Sequence, residues 1–261
     1  MIKEVTEPAG DSNSKQRLHT SWLQAPSSLT FPAERVDVWS VRLDGWETAD
    51  FEASILFPDE LGRASRFHFE KDRLHFSRCR FALRKLLGGY LQIPADKVRF
   101  ECLAGGKPRL VAEQNPQSLQ FNVSHSAGMA LIAVGSQHRL GVDIEKIRSD
   151  VDTSSLAERF FSLRERAGLR SLPDQLRVQG FFACWTRKEA FLKATGEGLS
   201  FPLADFSVTT HPHLKPALEE VSGHTEGLRE WCLADLSVAE GYRATVAVEA
   251  VSFRLQTYAW N

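Results

Sequence analysis

Asp143 and Glu145 stand two residues apart in Gly141-Val142-Asp143-Ile144-Glu145-Lys146. Val142, Ile144 and Ile147 are β-branched, which favours a strand. Side chains on a strand alternate between faces, so both carboxylates leave the same face. Carboxylates held side by side repel unless something positive sits between them. A hard cation such as Mg2+ takes oxygen ligands and keeps positions for water or phosphate. Taken alone, D-x-E also describes an ordinary exposed strand face. A second stretch changes that reading: Trp185-Thr186-Arg187-Lys188-Glu189-Ala190-Phe191-Leu192-Lys193. Glu189 and Lys193 are four apart, hence on one face of a helix. On an isolated helix they would form a plain surface pair. Here Phe181, Phe182, Trp185 and Phe191 mark a buried helix, where unpaired charge is costly. Glu189 is then the candidate third carboxylate beside Asp143 and Glu145. Lys188 and Lys193 are candidate partners for an anion that the cation also binds. Three carboxylates, one Mg2+ and lysines balance the charge of a diphosphate.

Two weaker groupings accompany these. Gly105-Gly106-Lys107-Pro108 is a tight, stiff turn carrying one cation, either a ligand-approaching loop or a simple hairpin tip. Ser124-His125-Ser126 ends a strand with two hydroxyls and an imidazole, suited to a phosphate or to capping the strand. No G-x-S-x-G elbow, Walker A sequence or G-x-G-x-x-G occurs, so a serine hydrolase and the usual nucleotide folds are not indicated.

The elements that must position these residues follow from periodicity. Residues 1–34 are rich in Ser, Pro and Gly and read as a flexible N-terminal extension. Val36–Leu43 alternates as a half-buried strand. A short helix starts near Pro58-Asp59-Glu60. A long one spans about Asp72 to Leu91, with Phe76, Cys79, Leu83, Leu86, Leu87 and Tyr90 as its buried stripe. Strands follow near Val98, Phe121 and Met129–Val134. After the Asp143 strand the pattern repeats. Helical stretches cover about Ser155–Leu169 and Gln175–Thr195, closed by Gly196, and strands follow near Phe206, Trp231 and Tyr242–Val248. Phe206-Ser207-Val208-Thr209-Thr210-His211 echoes Phe121-Asn122-Val123-Ser124-His125-Ser126. The expected fold is α+β. Two pseudo-twofold-related halves, 35–138 and 139–261, each carry a small, mainly antiparallel sheet packed on a long helix, with the site in the crease between them.

Composition bounds the rest. The chain has 261 residues, 43% hydrophobic and 25% charged, with a net charge of −1. That is ordinary globular composition with no global field calling for nucleic acid or an acidic membrane. Cys79, Cys102, Cys184 and Cys232 show no metal or redox spacing and read as reduced thiols. Glu4, Glu7, Asp11 and Lys15 fall where a secretory signal needs an apolar run. No stretch approaches about 18 apolar residues, so no membrane span is expected. A cytoplasmic protein is the expectation.

In this order and spacing, the motifs resemble the Sfp-type 4′-phosphopantetheinyl transferases. The likeness runs from about Leu56 to Val248. It rests on Leu56-Phe57-Pro58-Asp59-Glu60 with Arg63 and Arg66-Phe67; Gly106-Lys107-Pro108; Phe121–Ser126; Gly141–Glu145; Phe160-Phe161-Ser162 with Glu165; and Trp185–Lys193 with Gly196 and Gly198-Leu199. The resemblance implies Mg2+-dependent transfer of the phosphopantetheine arm of coenzyme A to a serine of an apo acyl or peptidyl carrier protein, releasing adenosine 3′,5′-bisphosphate. It implies Asp143, Glu145 and Glu189 as metal ligands and Lys188 and Lys193 as diphosphate-binding lysines. It places Lys107 and Pro108 against the adenine, Ser124 and His125 around the ribose 3′-phosphate, and Arg63 near that phosphate. A further base is expected just after Asp72, where Arg73 and His75 are both available. The carrier serine supplies the nucleophile, Lys193 stabilises the leaving phosphate, and Glu189, or a water it orients, accepts the serine proton. Arg159, Arg164, Arg166 and Arg170 offer a docking face to an acidic carrier. The resemblance also implies a monomer. Two other readings stand beside it: a Mg2+-dependent nucleotide diphosphate hydrolase, which uses the same three carboxylates, and a non-catalytic carrier-protein or nucleotide binding module, which a missing metal carboxylate would favour.

Overall fold

The structure, a computed structural model, describes residues 3–6, 22–47, 50–102, 106–197, 201–221 and 230–260. The first half runs β1 (Lys3–Thr6), β2 (Leu23–Gln24), β3 (Arg35–Arg42), α1 (Pro58–Ala64), α2 (Glu70–Leu91), β4 (Phe100–Cys102), β5 (Pro108–Leu110), β6 (Leu119–Ser126) and β7 (Met129–Ser136). The second runs β8 (Leu140–Lys146), α3 (Thr153–Phe160), α4 (Leu163–Ser171), α5 (Asp174–Thr195), β9 (Phe206–Val208), β10 (Leu218–Val221), β11 (Cys232–Asp235) and β12 (Tyr242–Val248), and β13 (Ser252–Trp260) closes the chain.

The internal repeat is visible in the topology. β3 pairs with β7 and β7 with β6; likewise β8 pairs with β12 and β12 with β11, all antiparallel. Each half therefore orders its three main strands first, third, second. Each also sets aside a small hairpin, β4–β5 or β9–β10, after its long helix. The echo between Phe121–Ser126 and Phe206–His211 does not follow this symmetry, because β6 lies in a main sheet and β9 in a hairpin.

Strand alternation builds the layers. Trp39 and Val41 of β3 pack with Leu83, Leu86 and Leu87 of α2. Val36 and Val38, on the opposite face, meet Val142, Ile144 and Val246 of the second sheet. Ala247, beside Val246, turns the other way, into the cluster of Phe181, Phe191 and Leu192 on α5. The order is thus α2, first sheet, second sheet, α5, with apolar side chains filling all three interfaces.

Two parts of the chain depart from the expectation. β13 lies between β1 and β3 in the first sheet, parallel to β3. The boundary at residue 139 separates the two repeats but not the two sheets. Residues 22–34, expected to be loose, are packed: β2 pairs with β13, Trp22 joins the inter-sheet core, and Leu29 and Phe31 join the α2 core. Their apolar side chains outweigh the Ser- and Pro-rich composition around them. Residues 7–21 lie outside the described residues. Among the described residues no helix is long and apolar enough to cross a membrane.

Lys188 does not reach a ligand site. It is fully buried. Its Nζ donates to both oxygens of Glu165, at 2.7 and 2.8 Å, and to Phe206 O at 2.6 Å. Glu165, also fully buried, accepts from Val208 N and closes the capping box of α4 with Ser162. The pair ties α4, α5 and β9 together. Removing one member strands the other without compensation. Lys188→Met, which keeps most of the volume, should lower stability in urea unfolding by about 3–5 kcal/mol; a loss below about 1 kcal/mol, the level of an exposed pair, would contradict the tie.

Candidate active site

β6 and β8 run side by side at the joint between the halves yet belong to different sheets. What joins them is a row of side chains. Val142 N donates to Asn122 Oδ1 (2.9 Å), Ile144 N to Ser124 Oγ (3.4 Å) and Lys146 N to Ser126 Oγ (3.1 Å). The period of two on both strands makes every second residue of β6 a partner for every second amide of β8.

The alternate side chains of β8 face α5. Gly141 allows the approach, since a Cβ there would stand 2.2 Å from Ala190 O. Asp143, almost wholly buried, accepts at Oδ1 from Lys193 Nζ (2.6 Å) and Ser124 Oγ (2.8 Å). Among the described residues its buried Oδ2 has no hydrogen-bond partner. Glu145, half-buried, accepts from Ser126 Oγ at 2.8 Å. Burial, then the Asp143 charge, pushes the Glu145 carboxyl above its ordinary range; Glu189 adds to this, while the Ser126 hydrogen bond and Lys193 oppose it. Glu189 is raised by burial and then Asp143, with Lys193 opposing. The three acids thus form one electrostatic cluster with Lys193 in its midst.

Their geometry and their chemistry bear differently on whether they suit a divalent cation. As the side chains stand, no group of three or more His, Cys, Asp or Glu among the described residues is gathered closely enough to hold a metal ion. Against that, the donors are hard oxygens, their charge exceeds what one lysine balances, and a buried carboxylate oxygen lacks a partner. Unpaired buried oxygen is costly, and a hard cation is the group that such a set accommodates. The donor set fits Mg2+ by chemistry and charge, with Asp143, Glu145 and Glu189 as the residues that would hold it.

On its other face, β6 carries His125 at the surface toward α2. The surrounding protein, then Lys193, His75 and Arg63, push the His125 pKa down, and Asp72 opposes them. His125, His75 and Arg63 thus lie within electrostatic reach of one another and of Lys193, with Asp72 and Asp44 beside them. Arg63 lies over the Phe76 ring at 5.3 Å. Of the two bases after Asp72, His75 is the one turned inward, with Nε2 2.8 Å from Asp44 Oδ1. Arg73 is exposed and 3.7 Å from Glu70. Ser124 is not part of this group: its hydroxyl is taken up by Asp143, Lys193 and Ile144 N.

Lys107 also departs from expectation. Its Nζ donates to Leu140 O (3.0 Å) and Ala194 O (3.2 Å), tying the β4–β5 hairpin to the last turn of α5. Burial, and then Arg139, bring its pKa down to about 8. Pro108 borders, with Phe121, Arg139 and Gly196, a cavity of about 330 Å3. Gly105 and Gly198-Leu199 fall outside the described residues. The arginines of α3 and α4 are also engaged. Arg164 pairs with Glu219 (2.7 Å), Arg166 with Glu158 (3.2 Å) and Arg170 with Glu158, while Arg159 lies over Phe160. Leu163, at the start of α4, stands 81% exposed among them.

Asp44 and the inward turn of His75 left no signal in type or spacing. Asn122 and Ser126, polar residues at alternate positions of an otherwise apolar strand, did leave one, but it does not reveal them as rungs joining β6 to β8.

Residues 139–247 match the family model described as the 4′-phosphopantetheinyl transferase superfamily, and residues 38–137 match the one described as 4′-phosphopantetheinyl transferase, N-terminal. The 4′-phosphopantetheinyl transferase HetI of a Nostoc species is 38% identical over 245 residues, 94% of this chain and 99% of that protein. The 4′-phosphopantetheinyl transferase Sfp of Bacillus subtilis is 29% identical over 172 residues, 66% of this chain and 74% of that one. A solved holo-(acyl-carrier-protein) synthase of Bacillus anthracis, in complex with CoA (3′,5′-ADP), is 22% identical and covers 42% of this chain and 92% of that chain, a slight likeness with a TM-score of 0.34. With each half matched by its own model, and one relative aligned almost end to end, the chain belongs to the 4′-phosphopantetheinyl transferase superfamily of enzymes.

Proposed function

We propose that the protein transfers the 4′-phosphopantetheine arm of coenzyme A to a serine of an apo acyl or peptidyl carrier protein, with Mg2+ at Asp143, Glu145 and Glu189. The observation that carries this reading is the juxtaposition at one seam of two complementary poles. One is an acidic cluster with an orphaned buried oxygen. The other holds His125, His75 and Arg63. Coenzyme A carries a diphosphate and a separate 3′-phosphate, and the two poles supply a partner for each. The first half contributes the nucleotide contacts and the second the metal and diphosphate site.

In this reading the serine oxygen attacks the phosphorus bearing the pantetheine arm. A serine–phosphate bond forms, the diphosphate P–O bond breaks, and adenosine 3′,5′-bisphosphate leaves. Bound Mg2+ supplies charge neutralisation to the diphosphate. Lys193, poised on Asp143 at the mouth of the cluster, meets the negative charge that grows on the leaving phosphate. Glu189 accepts the serine proton. His125, Arg63 and His75 hold the nucleotide end. The reading supports Lys193 as the diphosphate lysine, with Lys188 as structural.

Mass spectrometry of an apo carrier incubated with coenzyme A, Mg2+ and the protein should show the mass gain of the arm. Asp143→Ala should lower that rate by at least about a hundredfold, since it removes a ligand rather than a supporting contact. Free phosphopantetheine, with no gain on any carrier in a broad panel, would point to a hydrolase. Undiminished transfer by Asp143→Ala at saturating Mg2+ would contradict the assignment of the acids. At the other pole, coenzyme A lacking its 3′-phosphate should bind the wild type more weakly, and His125→Ala should lose little further affinity for it. Equal additional losses in both proteins would remove His125 from that phosphate.

A further inference from the structure

The row of side chains joining β6 to β8 has three rungs, and they are not equivalent. Asn122 accepts Val142 N and touches no carboxylate of the cluster. Ser124 and Ser126 each do two things at once. A serine hydroxyl has one proton and two lone pairs. Ser126 Oγ accepts Lys146 N (3.1 Å) on a lone pair and gives its proton to Glu145 Oε2 (2.8 Å). Ser124 does the same for Ile144 N and Asp143, where Lys193 also binds. The rungs that carry the joint therefore also aim the acids.

Glu145 depends on its rung more than Asp143 does. Asp143 has a short side chain, is buried, and is held at Oδ1 by two donors. Glu145 is half-buried, with an extra rotatable bond, and Ser126 is its one hydrogen-bond partner among the described residues. Without that donor nothing else in the described residues holds the carboxylate, and it is free to swing to water, away from Asp143 and Glu189.

We infer that Ser126 is a positioning residue that holds Glu145 in the cation-binding cluster while locking β8 in register against β6. The inference rests on the reading of Asp143, Glu145 and Glu189 as cation ligands. Loss of a supporting hydrogen bond to a metal ligand typically weakens metal binding by about 10–100-fold. A rung that only holds the strands together would weaken the fold without that selective effect.

The experiment compares the wild type, Ser126→Ala, Ser126→Thr and Asn122→Ala. Mn2+ binding is followed by electron paramagnetic resonance with coenzyme A saturating, and stability by urea unfolding. Both alanine variants remove one rung and should lower the urea midpoint to a similar degree. Ser126→Ala should weaken Mn2+ binding by about tenfold or more. Ser126→Thr, which keeps the hydroxyl, should restore it, and Asn122→Ala should bind Mn2+ as the wild type does. Should Ser126→Ala not fold, Ser126→Cys, close in size but a weak donor, is expected to show the same selective loss at smaller amplitude. Unchanged Mn2+ affinity in the folded Ser126 variants overturns the proposal. So does an equal loss in Asn122→Ala, which would make the effect a general loosening of the joint. Absence of Mn2+ binding by the wild type would instead overturn the cation reading itself, and the proposal with it.

Discussion

Two acids on the same face of a buried strand, with a third facing them from a helix, cannot all be held there without compensation. The structure supplies part of it. Lys193 Nζ lies on Asp143 Oδ1, Ser124 donates to the same oxygen, and Ser126 donates to Glu145. It leaves Asp143 Oδ2 without a partner among the described residues. That residual imbalance is what a cation and a phosphorylated substrate are suited to answer. Much of the second half serves to maintain it. Gly141 lets α5 lie close enough for Lys193 to reach Asp143 on β8. Arg187, fully buried, locks α5 to Asp235 and to the carbonyls of Thr209, His211 and Leu214. Lys188 locks it to α4 and β9 through Glu165 and Phe206.

The repeated topology explains why the site lies where it does. Each repeat presents a first strand and a second strand at the edges of its sheet core, and the joint sets β6 of one beside β8 of the other. Their sheets do not merge. Side chains take the place of a backbone ladder, so polar groups are concentrated at the one line where the halves meet. The first half turns His125 toward α2, and the second turns Asp143 and Glu145 toward α5. His125 and the acidic cluster thus come together across a single seam. β13 adds a covalent consequence: it follows β12 back into the first sheet, so the second repeat is tethered to the first on both sides.

How far the sequence alone carried this depended on whether the deciding geometry was local. The common face of Asp143 and Glu145 follows from strand alternation, and that of Glu189 and Lys193 from helical spacing; the structure shows both. Lys188 was misread although a local signal existed. Adjacent helical residues do not share a face, so a lysine next to Glu189 cannot look at the same ligand, and the helix is buried on that side too. Ser124 and Lys107 depended on docking between halves, which no local pattern records. The return of β13 to the first sheet is likewise a tertiary choice. Its alternation of Phe253 and Leu255 with Arg254 announces a strand but no partner. The fold class and the repeat were legible because hydrophobic periodicity encodes them directly, and the family resemblance carried the ordered motifs further than any one of them could go.

The central claim is that a cation bridging the Asp143–Glu145 strand and the Glu189 helix meets the diphosphate while the other end of coenzyme A lies at His125. Anomalous scattering from a crystal grown with Mn2+ and coenzyme A tests it most directly. The account predicts one manganese peak coordinated by Asp143, Glu145 and Glu189, diphosphate oxygens in its remaining positions and within reach of Lys193, Lys188 still buried on Glu165, and the 3′-phosphate against His125. A peak away from these acids, or a nucleotide bound with its diphosphate elsewhere, would contradict it.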